Sequence, residues 1–134
     1  MKIYLAARYS RNPEMREVAS YLKARGHQIT SRWINGSHEI GDVTTDLERR
    51  QLALDDWLDL QRSDAMLAYS ETPRSTNDSR GGRHVEFGLA LAWNIPIYVV
   101  GPRENVFHYL HQIQNFQNTV EAAHALEDKT EKKG

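Results

Sequence analysis

Glu86 sits in the stretch Asp78-Ser79-Arg80-Gly81-Gly82-Arg83-His84-Val85-Glu86-Phe87-Gly88, between an apolar run (Ala65 to Tyr69) and a helical pattern (Val85 to Trp93). Paired glycines allow a sharp turn and close backbone approach to a ligand. The residues after Glu86 are mostly apolar, so the helix it opens is expected to be buried. A carboxylate in a helix's first turn meets outward-pointing N–H groups that favour its charge. Such a group at the mouth of a buried helix is costly unless it acts, and Glu86 is therefore the first candidate for chemistry.

A second carboxylate is available in Leu54-Asp55-Asp56-Trp57-Leu58-Asp59-Leu60. Asp55 and Asp59 share a helix face, while Asp56 points about 100° away from Asp55. All three can equally be solvated charges on an amphipathic helix, and Asp64, at a helix–strand junction, can simply accept from turn amides. If Asp56 and Glu86 converged to about 5 Å, they could perform retaining glycosidic chemistry, one as nucleophile and one as acid/base. Tyr4 lies inside the first strand and reads either as a core aromatic or as a phenol that hydrogen-bonds a catalytic carboxylate.

Arg8, Ser10 and Arg11 follow the first strand, and Ser79, Arg80, Gly82 and Arg83 precede the third helix. Together they form a candidate anion cradle, since glycine-rich loops at helix starts bind phosphates through backbone amides; ordinary loop solvation is the alternative. No G-x-x-x-x-G-K-[ST] or G-x-G-x-x-G occurs, which argues against a nucleoside triphosphatase and a dinucleotide oxidoreductase. His84-Val85-Glu86 has the H-x-E spacing of zinc deaminases, but their cysteine ligands cannot exist in a chain without cysteine. His108 and His111 share a helix face without a third ligand nearby, and read as surface or hydrogen-bonding histidines rather than a metal site. The reading calls for no cofactor and no metal.

These groups need elements to position them. The chain has 134 residues, 26% of them charged, with a net charge of −1. One domain with a sizeable core fits that length, and the balance offers no global field for a nucleic acid polymer or a membrane. The absence of cysteine fits a reducing cytoplasmic setting. The N-terminus reads as a strand rather than a signal peptide. Strands are expected at residues 3–7, 27–31, 65–69, 96–100 and 113–116. Helices are expected from Pro13 to Gly26, from Thr44 or Thr45 to about Ser63, from Glu86 to Trp93, briefly at 106–111, and from a Thr119 cap to Leu126. Trp33 to Val43 and Ser70 to Gly82 read as polar loops. Alternating strands and helices imply an α/β fold with a five-stranded, mainly parallel sheet covered on both faces, in three layers. Ligands then bind beyond the carboxyl ends of the strands, where the loops at 8–12, 70–82 and 101–105 meet. Residues 1–127 form the expected domain, and the charged stretch 128–134 a flexible tail.

The blocks Ile3-Tyr4-Leu5-Ala6, Asp56 to Ala65, Gly82 to Ala90 and Pro96 to Val100 together resemble the nucleoside 2-deoxyribosyltransferase superfamily, which includes 2'-deoxynucleoside 5'-phosphate N-hydrolases. The resemblance spans Met1 to about Gly101. It implies a flavodoxin-like, Rossmann-like fold and a covalent mechanism on a small nucleoside or nucleotide. Glu86 matches the nucleophile, Asp56 the acid that protonates the leaving base, and Tyr4 the tyrosine that orients the nucleophile. Ser10 with Arg8 or Arg11, and Ser79, match the hydrolases' serine and arginine positions with altered spacing; Arg83 and His84 have no counterpart. Hydrolysis is the expected reaction, with transfer to a second base, or nucleotide binding without turnover, as alternatives. The large aromatics Trp33, Trp57, Trp93, Phe107 and Tyr109, together with the resemblance, imply a homodimer or larger assembly.

Overall fold

A computed structural model describes residues 1–36, 45–72 and 81–133, with side chains through 129. Five strands, β1 (Lys2–Ala6), β2 (Gln28–Ile29), β3 (Ala65–Tyr69), β4 (Ile97–Val100) and β5 (Gln114–Phe116), form one sheet in the order β2-β1-β3-β4-β5. Every pairing is parallel. That order is the flavodoxin-like doubly wound arrangement. Four helices connect or follow the strands: α1 (Asn12–Ala24), α2 (Asp46–Gln61), α3 (Gly82–Ala92) and α4 (Thr119–Lys133).

The pleat divides the strand residues between two cores, since successive side chains leave a strand on opposite faces. Ile3, Leu5 and Leu67 pack with Met15, Ala19 and Leu22 of α1 and with Ala122, Ala123 and Leu126 of α4. Tyr4, Ala6, Met66 and Val99 pack with Leu60 of α2 and with Phe87 and Ala90 of α3. The expected three layers follow. β3 is buried along its whole length, as a central strand with helices on both faces must be. Among the described residues no helix is long and apolar enough to cross a membrane.

The cap of α2 is one of the two expected residues, and other boundaries differ from the sequence expectation. Thr45 caps α2, its side chain accepting from the Glu48 N–H at 3.1 Å. The last helix is capped by Asn118 rather than Thr119: the Asn118 side chain accepts from the Glu121 N–H at 2.9 Å, while the Thr119 hydroxyl pairs with the Tyr69 phenol at 2.7 Å. The same helix runs to Lys133 instead of stopping at Leu126. Its charged end is tied to the body, since Glu127 accepts from Arg25 Nε at 2.9 Å and the Lys129 ammonium lies 5.7 Å from the Tyr98 ring centre. Residues 33–35, read as the start of a loop, belong to a 3-10 turn at Arg32–Asn35. The remainder of the two loops, 37–44 and 73–80, lies outside the described residues, and so do the predicted site residues Ser79 and Arg80.

That 3-10 turn is held by a buried carboxylate. Asp59 is fully buried on α2 and accepts from the Arg32 backbone N–H and from Arg32 Nε, each at 3.0 Å, with the Arg62 guanidinium at 3.2 Å. It is therefore a clamp joining α2 to the turn after β2, not a solvated charge. The arginine side chains are more than half exposed, so losing the carboxylate would leave them hydrated rather than buried and unpaired. Asp59→Ala is expected to lower unfolding stability by about 2 kcal/mol, the scale of hydrogen bonds to a charged group. Urea unfolding of the variant against the parent protein measures it.

Candidate active site

Doubly wound sheets open a crevice where neighbouring strands send their following helices to opposite faces. Here that happens between β1, which feeds α1, and β3, which leads to α3. A small, half-open hollow of about 10 Å³, room for about one water, lies at this point, lined by Ala6 of β1, Ala68, Tyr69 and Ser70 of β3 and its exit, Arg83, His84 and Phe87 of α3, and His108. Gly81 enters α3 with a φ of 82°, a left-handed backbone that favours glycine. Gly101, after β4, has a φ of 121°, and a Cβ there would lie 2.5 Å from the Ser70 hydroxyl.

Tyr4 occupies the α2/α3 face of β1 and is completely buried. Its hydroxyl donates to Glu86 Oε2. This is the contact the sequence left open, and the structure makes it: a phenol from the sheet held against the carboxyl of α3. The expectation that Glu86 lies in the first turn is corrected, because α3 begins at Gly82 and has no acidic residue in its first turn. The start moves because Gly81 supplies the left-handed cap and Gly82 the first helical residue. The helix dipole weakens beyond the first turn, and burial dominates instead, pushing the Glu86 pKa from 4.5 up to about 8.

Asp56 is half-buried on α2, and burial raises its pKa from 3.8 to about 6, reinforced by the charges of Asp59 and Asp55 and opposed by Arg32. Glu86 is not among the groups acting on it, and Asp56 is not among those acting on Glu86. The structure thus unites Tyr4 with Glu86 and gives Asp56 a neutral-pH titration, but shows no direct contact between the two carboxyls. None of the three lines the hollow described above.

The predicted cradle looks different at atomic scale. Arg11 donates to Glu14 Oε1 at 2.9 Å, to Glu71 Oε2 at 2.8 Å and to the Ser70 carbonyl at 3.3 Å. Arg8 lies 3.6 Å from Glu71. Arg83 forks onto both oxygens of Glu104 at 2.5 Å. Ser10 is exposed in the 3-10 turn at Tyr9–Arg11, and Gly82 is exposed at the first position of α3. His84 is partly exposed, with Nε2 3.8 Å from Glu104; burial and Arg83 lower its pKa, against Glu104.

Glu71 and Glu104 were not singled out from sequence, and His108, read there as a surface or hydrogen-bonding histidine, is buried beside them. The backbone N–H of Glu104 donates to His108 Nδ1 at 3.0 Å, and the His108 ring lies 5.0 Å from Phe87. Their signal was positional, since each follows the carboxyl end of β3 or β4, but isolated acidic residues in loops look like solvation. Asp64 follows its simpler reading, accepting from the Lys2 N–H at 2.8 Å.

No family model matches the chain, and no curated protein matches it significantly. Solved structures do. A 2-deoxyribosyltransferase from Bacillus psychrosaccharolyticus superposes with a TM-score of 0.67 at 19% identity, over 90% of this chain and 89% of that one. The CMP N-glycosidase BcmB of Clostridium botulinum does so at 0.58 and 15% identity, over 95% and 98%. A conserved protein of Enterococcus faecalis V583 gives 0.53 and 17%, over 93% and 87%. The chain has the fold of these proteins. The likeness extends over nearly the full length of each, and the shared fold is the one the sequence resemblance implied.

The raised Glu86 pKa has a stability consequence. A carboxyl with a higher pKa folded than unfolded holds its proton more tightly in the folded state. Stability therefore falls as pH climbs from 4.5 towards 8, and the cost is complete above 8. Glu86→Gln keeps the shape and removes the charge. Its melting temperature is expected to gain on the parent protein from pH 5 to pH 9; a constant difference would show that Glu86 is not forced to ionise in a buried setting.

Proposed function

We propose that this chain breaks the N-glycosidic bond of a 2'-deoxynucleoside or its 5'-monophosphate through a glycosyl ester on Glu86. The observation that carries the reading is the buried Tyr4 phenol donating to Glu86 on the second turn of α3, in a fold shared with a 2-deoxyribosyltransferase and a CMP N-glycosidase. A Glu86 oxygen attacks the anomeric carbon as the carbon–nitrogen bond breaks, and the bond's electrons leave with the base. Asp56 gives its proton to that base. Water then attacks the same carbon, the ester bond breaks, Glu86 leaves as carboxylate and Asp56 takes up a proton from the water. Carboxylate capture suits an oxocarbenium-like transition state, and protonation improves the base as a leaving group. A second base in place of water would make the reaction a transfer.

Tyr4 supports this chemistry by direction. A hydroxyl donating to one carboxyl oxygen favours the ionised form, fixes the carboxylate plane and leaves the other oxygen for attack. The phenol stays in place through its own burial in the sheet.

The test is release of free base. Chromatography of the four common deoxynucleosides and their monophosphates, incubated with the protein with and without an acceptor base, is expected to show free base or exchanged nucleoside. Glu86→Ala should lose at least a thousandfold in rate while keeping its circular dichroism. No release from any substrate by the parent protein sinks the proposal.

The two pKa values also fix a pH profile. The mechanism needs Glu86 ionised and Asp56 protonated, yet Glu86 titrates near 8 and Asp56 near 6. At neutral pH only about 1% of the free protein holds that arrangement, and kcat/KM should form a bell with limbs near pH 6 and 8. Asp56→Asn removes the acid whose deprotonation causes the fall. Its residual activity should rise with pH and level off above about 8, with no descending limb.

A further inference from the structure

The charges around the cleft bear on what it accepts. Arg8, Arg11 and Arg83 gather at the carboxyl ends of β1 and β3 and the start of α3, and each faces a carboxylate. Glu71 sits 3.6 Å from Arg8 and 2.8 Å from Arg11, which also pairs with Glu14 at 2.8 Å. Arg83 is matched two-for-two by Glu104, and both side chains are little exposed, at 8% and 13%.

Glu104 is fixed from several sides. Besides Arg83 it accepts from the Glu71 backbone N–H at 3.0 Å, while its own N–H is anchored on His108. Burial opposes its ionisation, but the bonds from Arg83 and the Glu71 N–H outweigh it and hold its pKa below the usual value. Burial lowers the pKa values of His84 and His108, which disfavours a positive charge on either. Arg83 lines the cleft, and its buried Nε–H has no acceptor among the described residues.

A guanidinium whose charge is already matched still donates hydrogen bonds, but the pair carries no net charge. A phosphate approaching it would meet Glu71 and Glu104 as well as the arginines, and like charges in a sheltered site repel. We propose that the Arg83–Glu104 pair is the specificity element of this cleft, selecting an uncharged, oxygen-bearing deoxynucleoside over its 5'-monophosphate. Arg83 Nε–H supplies the donor for a neutral oxygen, a sugar hydroxyl or a base carbonyl, and Glu104 makes a phosphate unwelcome. The assignment rests on the glycosidase reading for its substrate class and concerns the described residues of the cleft.

Calorimetry on the Glu86→Ala protein separates binding from turnover. The deoxynucleosides are expected to bind at least tenfold tighter than their 5'-monophosphates. Adding Glu104→Gln, which keeps an acceptor for the Glu71 N–H but frees the Arg83 charge, should reduce that ratio at least tenfold. A smaller preference in Glu86→Ala, or an unchanged ratio in a folded double variant, overturns the assignment; if the double variant does not fold, the first comparison decides alone. Base release by the parent protein together with tighter monophosphate binding would sink the specificity claim and leave the glycosidase reading standing. Nucleoside-selective binding without base release would do the reverse, and binding of neither ligand overturns both.

Discussion

The structure depends on a carboxyl group kept in a place that resists its charge. Glu86 is partly exposed on α3, with the Tyr4 phenol against it, and burial of its carboxyl carries its pKa to about 8. Glutamine or leucine would fill that space without the cost. The surrounding architecture accommodates the acid by supplying one donor from the most rigid part of the molecule: β1 pairs on both sides and is buried behind α2 and α3 on one face and α1 and α4 on the other. A donor fixed in that way does not have to be ordered when a substrate arrives, and this is what preorganisation means in physical terms.

The helix α2 shows how environment sorts residues of one chemical type. Asp55, Asp56 and Asp59 lie within a turn and a half, yet do different things. Asp59 faces inward, meets Arg32 and Arg62 and becomes a clamp. Asp55 stays at the surface near Arg32. Asp56 is half-buried, has two like charges as neighbours and titrates near 6. Part of its perturbation comes from Asp59, so the clamp that holds the helix also keeps its neighbour's proton near neutrality. A structural carboxylate thereby raises the pKa of its neighbour at the distance of a single helical turn.

Much of the scaffold was legible in the sequence because it follows from periodicity. The alternation of short apolar runs with helical patterns gave five strands, their parallel sense and two covered faces, and each strand lies within two residues of its expected position. Tyr4 and Glu86 were also legible, though their contact was not, since a strand residue and a helix residue 82 positions apart leave no local trace of being neighbours. What escaped was set by long-range pairing. Arg11 and Arg83 read as cations awaiting an anion because Glu71 and Glu104 come from other loops. Asp59 read as a surface charge because Arg32 arrives from the turn after β2. The start of α3 was placed too late because a glycine can either end a loop or begin a helix, and only its backbone angle decides. Ser79 and Arg80 lie outside the described residues.

The two ends of the site follow opposite electrostatic rules. Among the described residues Glu86 is left with a phenol and no cation, so its charge is held back until something positive develops beside it, and in the proposed reaction a glycosyl centre losing its base is such a species. Around Arg83 the cation is matched in advance by an acid of its own. Exchanging the two devices would defeat both: an arginine beside Glu86 would lower its pKa but quench the nucleophile in an ion pair, and an unpaired arginine in the cleft would hold any passing anion. α3 carries both groups, Arg83 one turn before Glu86, and therefore presents a neutral donor and a suppressed carboxylate on neighbouring parts of one rigid element. A substrate that is itself uncharged until its bond begins to break suits that arrangement best.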